Sequence, residues 1–387
     1  MHHHHHHGQH GHSRRDFFTR SFGGILAGAS VIEEAFLRAT WARAQSPGAS
    51  TTLFTIEKVA DGVFAALAQP QVLTNCNAAI FVNSADVLVV DAHSKPSASA
   101  ALVAQIKKEI TEKPVRYLVN THFHWDHTQG NATYKAGGAK LDIIASDTTK
   151  QLMTELSRNR LKESLATVAP MIDGLRARLA KATSAADKAL RQDQIRQLEA
   201  YRAEMQNYSL ELPTITFAKS YVVKDRAGDL QIEFHGRAHT AGDIVVFSPQ
   251  KRVIAAGDVI NGFLPNLADG YPKPWPKTID SFGQLAYDHL ISGHGPVHHD
   301  RARIGQFRNY IDELTGLVEM GKKAGKPLAE LQKTLTVDSI KSLRANGYSI
   351  YVRDNLEKFA VYLGPRTAIE DRLSGNVEAI YNNLDRV

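Results

Sequence analysis

The sequence predicts an α/β fold of stacked layers. Three observations carry this. Buried strand-like runs alternate with an amphipathic helix between residues 54 and 120, strand-like runs resume from residue 214 to 258, and a block of helical periodicity separates the two.

Taken in order, "GVFAALA" (62–68) and "NAAIFVN" (77–83) read as strands, and "DVLVVDA" (86–92) is a buried β-branched run. "ASAALVAQIKKEI" (98–110) has the pattern of an amphipathic helix. "VRYLVNT" (115–121) is a further buried strand and leads directly into "THFHWDHTQGN" (121–131). "LDIIAS" (141–146) is one more short strand. From about 148 to 207 the period changes. Leu161, Leu165, Val168, Ile172, Leu175 and Leu179 recur at spacings of 4, 3, 4, 3 and 4, an apolar stripe on one helix face. Pro170 lies inside that helix and is expected to kink or split it. "SAAD" (184–187) resembles a capping box that starts a second helix carrying Leu190, Ile195, Leu198, Tyr201 and Met205. The block therefore reads as an α-hairpin inserted into an α/β domain, its stripe used in core packing, with a lid or an oligomer contact as further roles. Strands resume at "TITFAKSYVV" (214–223), "LQIEFHG" (230–236), "DIVVFSP" (243–249) and "RVIAAGD" (252–258). After residue 300 the chain reads helical over 301–323, 328–335 and 365–383. The expected organisation is a leader over 1–44, a main domain over 45–300 with its insertion at 148–207, and a helical extension over 301–387 packed on that domain.

The leader opens with a tag-like run of six histidines at 2–7. "SRRDFFTR" and the short apolar stretch "SFGGILAGASVI" follow, and Ala42-Arg43-Ala44 offers an A-x-A cleavage site. Arg14 and Arg15 before Phe17 and Phe18 resemble a twin-arginine export signal, so the expected location is the periplasm or outside the cell, after cleavage behind Ala44. The apolar stretch is too short to span a bilayer, so no stable membrane insertion is expected.

The formal charge of +6 is partly the leader's: residues 1–44 hold five arginines and three acids, leaving 41 basic against 37 acidic side chains, or +4. No basic run interleaves with aromatics, which argues against a nucleic-acid partner. The single cysteine, Cys76, excludes an intramolecular disulfide and a Cys-rich zinc site.

Three histidines and an aspartate crowd into six positions as His122, His124, Asp126 and His127. His122 and His124 lie two apart and face the same way in extended backbone. Such a pair can grip one cation, while Asp126 and His127 reach a neighbouring one. Zinc takes His nitrogen and carboxylate oxygen and leaves a position open for catalysis, so two ions need further ligands. They are available at the ends of other strands. "GRAHTAGD" (236–243) carries His239, "AAGD" (255–258) carries Asp258 after a buried run, and "SGHGP" (292–296) carries His294 between glycines.

His-x-His-x-Asp-His, Gly-x-x-His-Thr-x-Gly-Asp, Gly-Asp and Gly-His-Gly-Pro, in that order, resemble the metallo-β-lactamase superfamily over roughly residues 54 to 300, the helical insert excepted. The resemblance implies an αββα sandwich holding two zinc ions in a groove at one edge. Iron or manganese are other occupants of His/Asp sites. It implies that His122, His124 and His239 hold one ion, that Asp126, His127 and His294 hold the other, and that Asp258 bridges both. Asp91, closing "VLVVD", matches a family aspartate that orients a ligand from outside the ligand set. His93, His235, His289, His298 and His299 match no family ligand and read as surface or packing residues, His93 being nearest to Asp91 in sequence.

The implied chemistry is hydrolysis, with zinc-bound hydroxide attacking the carbonyl of a small ester, lactone, thioester or lactam and Asp126 placed to relay a proton. "NLADGYPKPWPKTI" (266–279) resembles the substrate-side segment of one zinc β-lactamase subclass, which nominates Asn266 and Trp275 as substrate contacts. That subclass has cysteine where this chain has Asp258 and lysine where it has Asn261. The alternatives are a β-lactamase proper and a metal-binding relative without activity. The superfamily's nuclease and iron-reductase branches need appended domains that have no counterpart in these motifs.

Asp258→Ala is expected to lose metal and most activity, because it removes a ligand to both ions, whereas His298→Ala leaves metal content intact. Metal analysis and turnover of the two purified variants check this, and equal losses contradict the ligand assignment.

Overall fold

The computed structural model describes residues 52–69, 76–136, 140–359 and 368–386. The leader readings at 1–44, the histidine run and the export signal among them, lie outside the described residues.

Twelve strands among the described residues form two sheets. The first holds β1 (Phe54–Ala60), β2 (Val63–Ala68), β3 (Ala78–Val82), β4 (Val87–Val90), β5 (Val115–Val119), β6 (Asp142–Ser146) and β7 (Ile215–Phe217), in that order. β1 to β4 pair antiparallel, and β4 to β7 pair parallel. The second sheet runs in the order β12 (His289–Ser292), β11 (Val253–Gly257), β10 (Val245–Ser248), β9 (Leu230–Glu233), β8 (Ser220–Val223), with β11 and β12 parallel and the rest antiparallel.

The sheets face each other across one apolar layer. Val63, Phe81, Leu88, Val90 and Val119 from the first meet Ile232, Val246, Val253, Ala255 and Ile291 from the second. The outer face of the first sheet packs on α1 (Pro96–Glu109) through Leu102 and Ile106. The turn after β5 carries α2 (Trp125–Thr128), then α3 (Asn131–Ala136), whose Tyr134 joins the same layer. The outer face of the second sheet packs on α7 (Trp275–Phe282) and on the C-terminal helices, with Phe247, Ile254 and Leu290 in one cluster with Trp275, Phe282, Phe307, Tyr310 and Leu314. The layers are therefore α, β, β, α, and the helices after residue 300 are the outer layer rather than an appendage. They are α8 (Ala302–Lys323), α9 (Leu328–Thr334), α10 (Lys341–Arg344), α11 (Tyr348–Phe359) and α12 (Ala368–Asn383).

"TITFAKSYVV" is two strands rather than one. β7 closes the first sheet and β8 the second, so the chain changes sheets at Ala218 and Lys219. Both strands carry the same apolar alternation, so the crossing leaves no mark in the sequence.

The insertion is the expected hairpin. α4 (Asp147–Leu152), a π turn (Met153–Ser157) and α5 (Arg158–Lys181) run on without a break, and α6 (Ala185–Gln206) returns. Ser184 caps α6 by accepting from the Asp187 amide. Pro170 neither splits nor ends α5. It sits on the exposed face, where water can take up the carbonyl it leaves unbonded, while Val168, Ile172 and Leu175 on the other face are buried against Ile195, Leu198, Tyr201 and Met205. That burial outweighs the lost hydrogen bond. No helix among the described residues is long and apolar enough to cross a membrane.

Leu198 is fully buried at the hairpin's centre. Leu198→Ala should destabilise the protein by about 3 kcal/mol, read as a lowered denaturant midpoint. An unchanged midpoint contradicts a packed hairpin.

Candidate metal centre

Parallel pairing sets the site's position. β4 and β5 end at the same edge of the first sheet, and β11 and β12 end together in the second. Asp91 follows β4, and Thr121 and His122 follow β5. Asp258 follows β11, and His294 follows β12. His239 comes from the loop between β9 and β10, where Asp243 accepts from the Thr240 amide and hydroxyl and so closes the turn. Burial pushes the Asp243 carboxyl up to about 7, with the two Thr240 bonds opposing it. Glycine is required at two of these ends. Gly257 has φ +50, and a Cβ there would strike Thr121; a Cβ on Gly293 would strike Asp258 Oδ1.

All seven predicted ligands meet. Three triads offer ligand atoms within 4.8 Å of one another: His122, His124 and His239; His122, His127 and Asp258; Asp126, His127 and His294. Asp258 spans the halves, with Oδ2 3.4 Å from His239 Nε2 and Oδ1 3.2 Å from His294 Nε2 and 3.4 Å from His127 Nε2. Asp126 Oδ2 lies 3.3 Å from His294 Nε2 and 3.5 Å from His127 Nε2. His124 and His294 keep the most exposure among the five imidazoles.

Four imidazoles have their tautomer fixed from outside. His127 Nδ1 donates to Asp91 Oδ2 at 2.8 Å, and His239 Nδ1 donates to the Asn266 carbonyl at 3.0 Å. Thr121 Oγ1 donates to Asp91, so it accepts from His122 Nδ1 at 3.0 Å. His124 is reversed: its Nε2 donates to Asp269 Oδ2 at 2.8 Å and its Nδ1 points inward. Each ring in its neutral form thus aims a lone pair at the centre. His239 Nε2 and His124 Nδ1 face each other at 2.9 Å with no proton left to share. Among the described residues, His122 Nε2, His127 Nε2 and Asp258 Oδ1 are buried without a hydrogen-bond partner. Facing lone pairs and orphaned buried acceptors are what a bound cation satisfies, so the donor set fits a metal.

Without a cation the charges settle as follows. Burial and the neighbouring imidazoles hold His122 well below the usual histidine range, and burial brings His239 down to about 4. His294 goes up to about 9: burial opposes its charge, and Asp258 and Asp126 outweigh burial. For His127 burial is again overcome, here by Cys76 and then Asp91, Asp126 and Asp258, and it too is raised. Asp126 is lowered to about 2 against burial by His127 and His294.

Asp91 takes the orienting position expected of it. It accepts from the Thr121 amide at 2.8 Å and holds His127, from a left-handed φ of +69. Trp275 differs from expectation. It is fully buried, donates Nε1 to the Val259 carbonyl at 3.0 Å, and lies 5.7 Å ring to ring from His239, so it buttresses a ligand and exposes no surface of its own. Asn266 is exposed, but what it gives the site is its carbonyl, on His239. His93 and His298 are buried packing residues; His93 Nδ1 lies 3.3 Å from Cys76 Sγ. Sequence reasoning missed Thr121, Asp269 and Arg160. Thr121 adjoins His122 and could have been suspected. Asp269 is held by Arg160 Nη1 and Nη2 at 2.7 and 3.0 Å, and no spacing links either residue to His124.

A family model described as the metallo-beta-lactamase superfamily matches residues 72–294. A metallo-beta-lactamase from Pontibacter korlensis is similar in structure at 19% identity and a TM-score of 0.46, covering 64% of this chain and 93% of its own. One from Erythrobacter litoralis is similar at 16% identity and a TM-score of 0.48, covering 68% of this chain and 99% of its own.

The raised His294 gives a pH signature. Its folded pKa of about 9 exceeds the ordinary 6.5, so its proton stabilises the metal-free protein fully below pH 6.5, and that stability is lost as pH rises through 9. A cation must displace the same proton. Zinc binding at pH 7 should therefore release protons and tighten towards pH 9, while the metal-free melting temperature falls over that window. Calorimetry in buffers of different ionisation enthalpy measures the release, and an affinity flat from pH 6 to 9 contradicts it.

Proposed function

The chain belongs to the metallo-β-lactamase superfamily, and from that premise we propose that it is an exported, binuclear zinc hydrolase acting on a small ester, lactone, thioester or lactam. One observation supports this most: Asp258 turns one oxygen towards His239 and the other towards His127 and His294, the disposition of a carboxylate shared by two cations. When bound, the cations supply Lewis acidity and a water of lowered pKa.

The protein's own groups do the rest. His122, His124 and His239 are held in the neutral tautomers that coordination needs, and His127, with Nδ1 held by Asp91, has only its Nε2 proton to give up. Asp126 is ionised throughout the neutral range and lies beside His294, where its Oδ2 can take a proton and return it to a leaving group. Behind the ligands the packing is apolar, with Phe263, Leu264 and Trp275 all buried.

The substrate range rests on what position 261 lacks. Asn261 is buried and uncharged, so it offers no cation for a substrate carboxylate. This favours neutral esters, lactones and thioesters over β-lactam drugs. Export rests on Arg14, Arg15 and the Ala44 site.

Metal analysis with hydrolysis assays on nitrocefin, a lactone and a glutathione thioester tests the reading. Two equivalents of zinc with turnover of the lactone or thioester above nitrocefin is expected. Zinc-loaded protein inert towards all three contradicts a hydrolase, and dominant nitrocefin turnover favours a β-lactamase.

A further inference from the structure

We infer that the inserted hairpin is the outer brace of the metal site, and that Arg160 is a positioning residue for the ligand His124. This inference rests on the functional reading above and assigns a role to the insertion.

The hairpin grips the ligand turn from several sides. Arg160, in the first turn of α5, clamps Asp269 with both Nη atoms, at 2.7 and 3.0 Å, and Asp269 in turn accepts from His124 Nε2. The same guanidinium lies 4.9 Å over the ring of Phe123, the residue between His122 and His124. Trp125, between His124 and Asp126, packs into the hairpin's own apolar core with Leu161 and Leu165. On the returning helix, Tyr201 is buried and its hydroxyl donates to Gln129 Oε1 at 3.4 Å.

The clamp has a chemical purpose. His124 is the one fixed ligand that turns Nδ1 inward, and the Asp269 carboxylate at Nε2 keeps it so. Asp269 sits in the turn between Leu267 and Gly270, outside any strand or helix. A two-point guanidinium bond fixes the plane of that carboxylate, which a single hydrogen bond from the imidazole does not. The π turn at Met153–Ser157 sits immediately before the turn that bears Arg160, in keeping with the tendency of such turns to mark functional positions.

The test uses the full chain, stripped of metal and titrated with zinc against a chromophoric chelator, with cobalt absorption as a second readout. Arg160→Ala should weaken one equivalent of zinc by about 10- to 100-fold and alter the cobalt ligand-field bands. Arg160→Gln, which stays polar but is shorter and lacks the fork, should behave alike and decides the matter if the alanine variant does not fold. Arg176→Ala, which breaks an exposed ion pair with Glu199 on the same hairpin, should match the wild type. Wild-type zinc affinity and cobalt bands in the Arg160 variants overturn the inference and leave the hydrolase reading standing. Equal losses in the Arg176 variant also overturn it, because the effect is then general loosening of the hairpin. A wild type that takes up no zinc sinks both.

Discussion

The centre of this protein depends on directed lone pairs. Four imidazoles spend their N–H groups on Asp91, Thr121, Asn266 and Asp269, so the opposite nitrogens converge without protons to soften the encounter. Buried acceptors without donors are costly. The residues around them are arranged to bear that cost rather than relieve it, since among the described residues no neutral donor side chain bonds to these atoms. The metal-free protein gains partial relief by protonating His294 and His127, which places two imidazolium charges against Asp126 and Asp258.

The rest of the fold keeps that focus in place. Two pairs of parallel strands, one pair in each sheet, deliver Asp91, His122, Asp258 and His294 to a common edge. The carboxyl ends of parallel strands are where chain turns can converge without interrupting a ladder. Close approach of these turns is bought with missing side chains at Gly257 and Gly293. Trp275 closes the site from behind His239, and the C-terminal helices close over Trp275.

Much of this was legible in the sequence because it is local. The ligands stand in short motifs at the ends of β-branched runs, and the insertion announces itself by a change of period at residue 148. What was not legible is long-range. Arg160 and Asp269 are 109 positions apart, and Asp269 and His124 are 145 apart, so no window contains any of these pairs. That Pro170 does not split its helix was not legible because propensity ignores which face is buried. The sheet change at Ala218 was invisible because both strands bury one face against the same layer. Trp275 was drawn towards substrate by resemblance alone, whereas the buried hydrogen bond to Val259 fixes it as packing.

Asn77 leads to one more consequence. Its side chain donates to the carbonyls of Ser292 and Gly295, and its amide donates to Gly293, so the start of β3 is stitched to the turn that carries His294. One sheet therefore cannot slide past the other without dragging a ligand along. The spacing between the two halves of the centre is thereby tied to how the sandwich is registered.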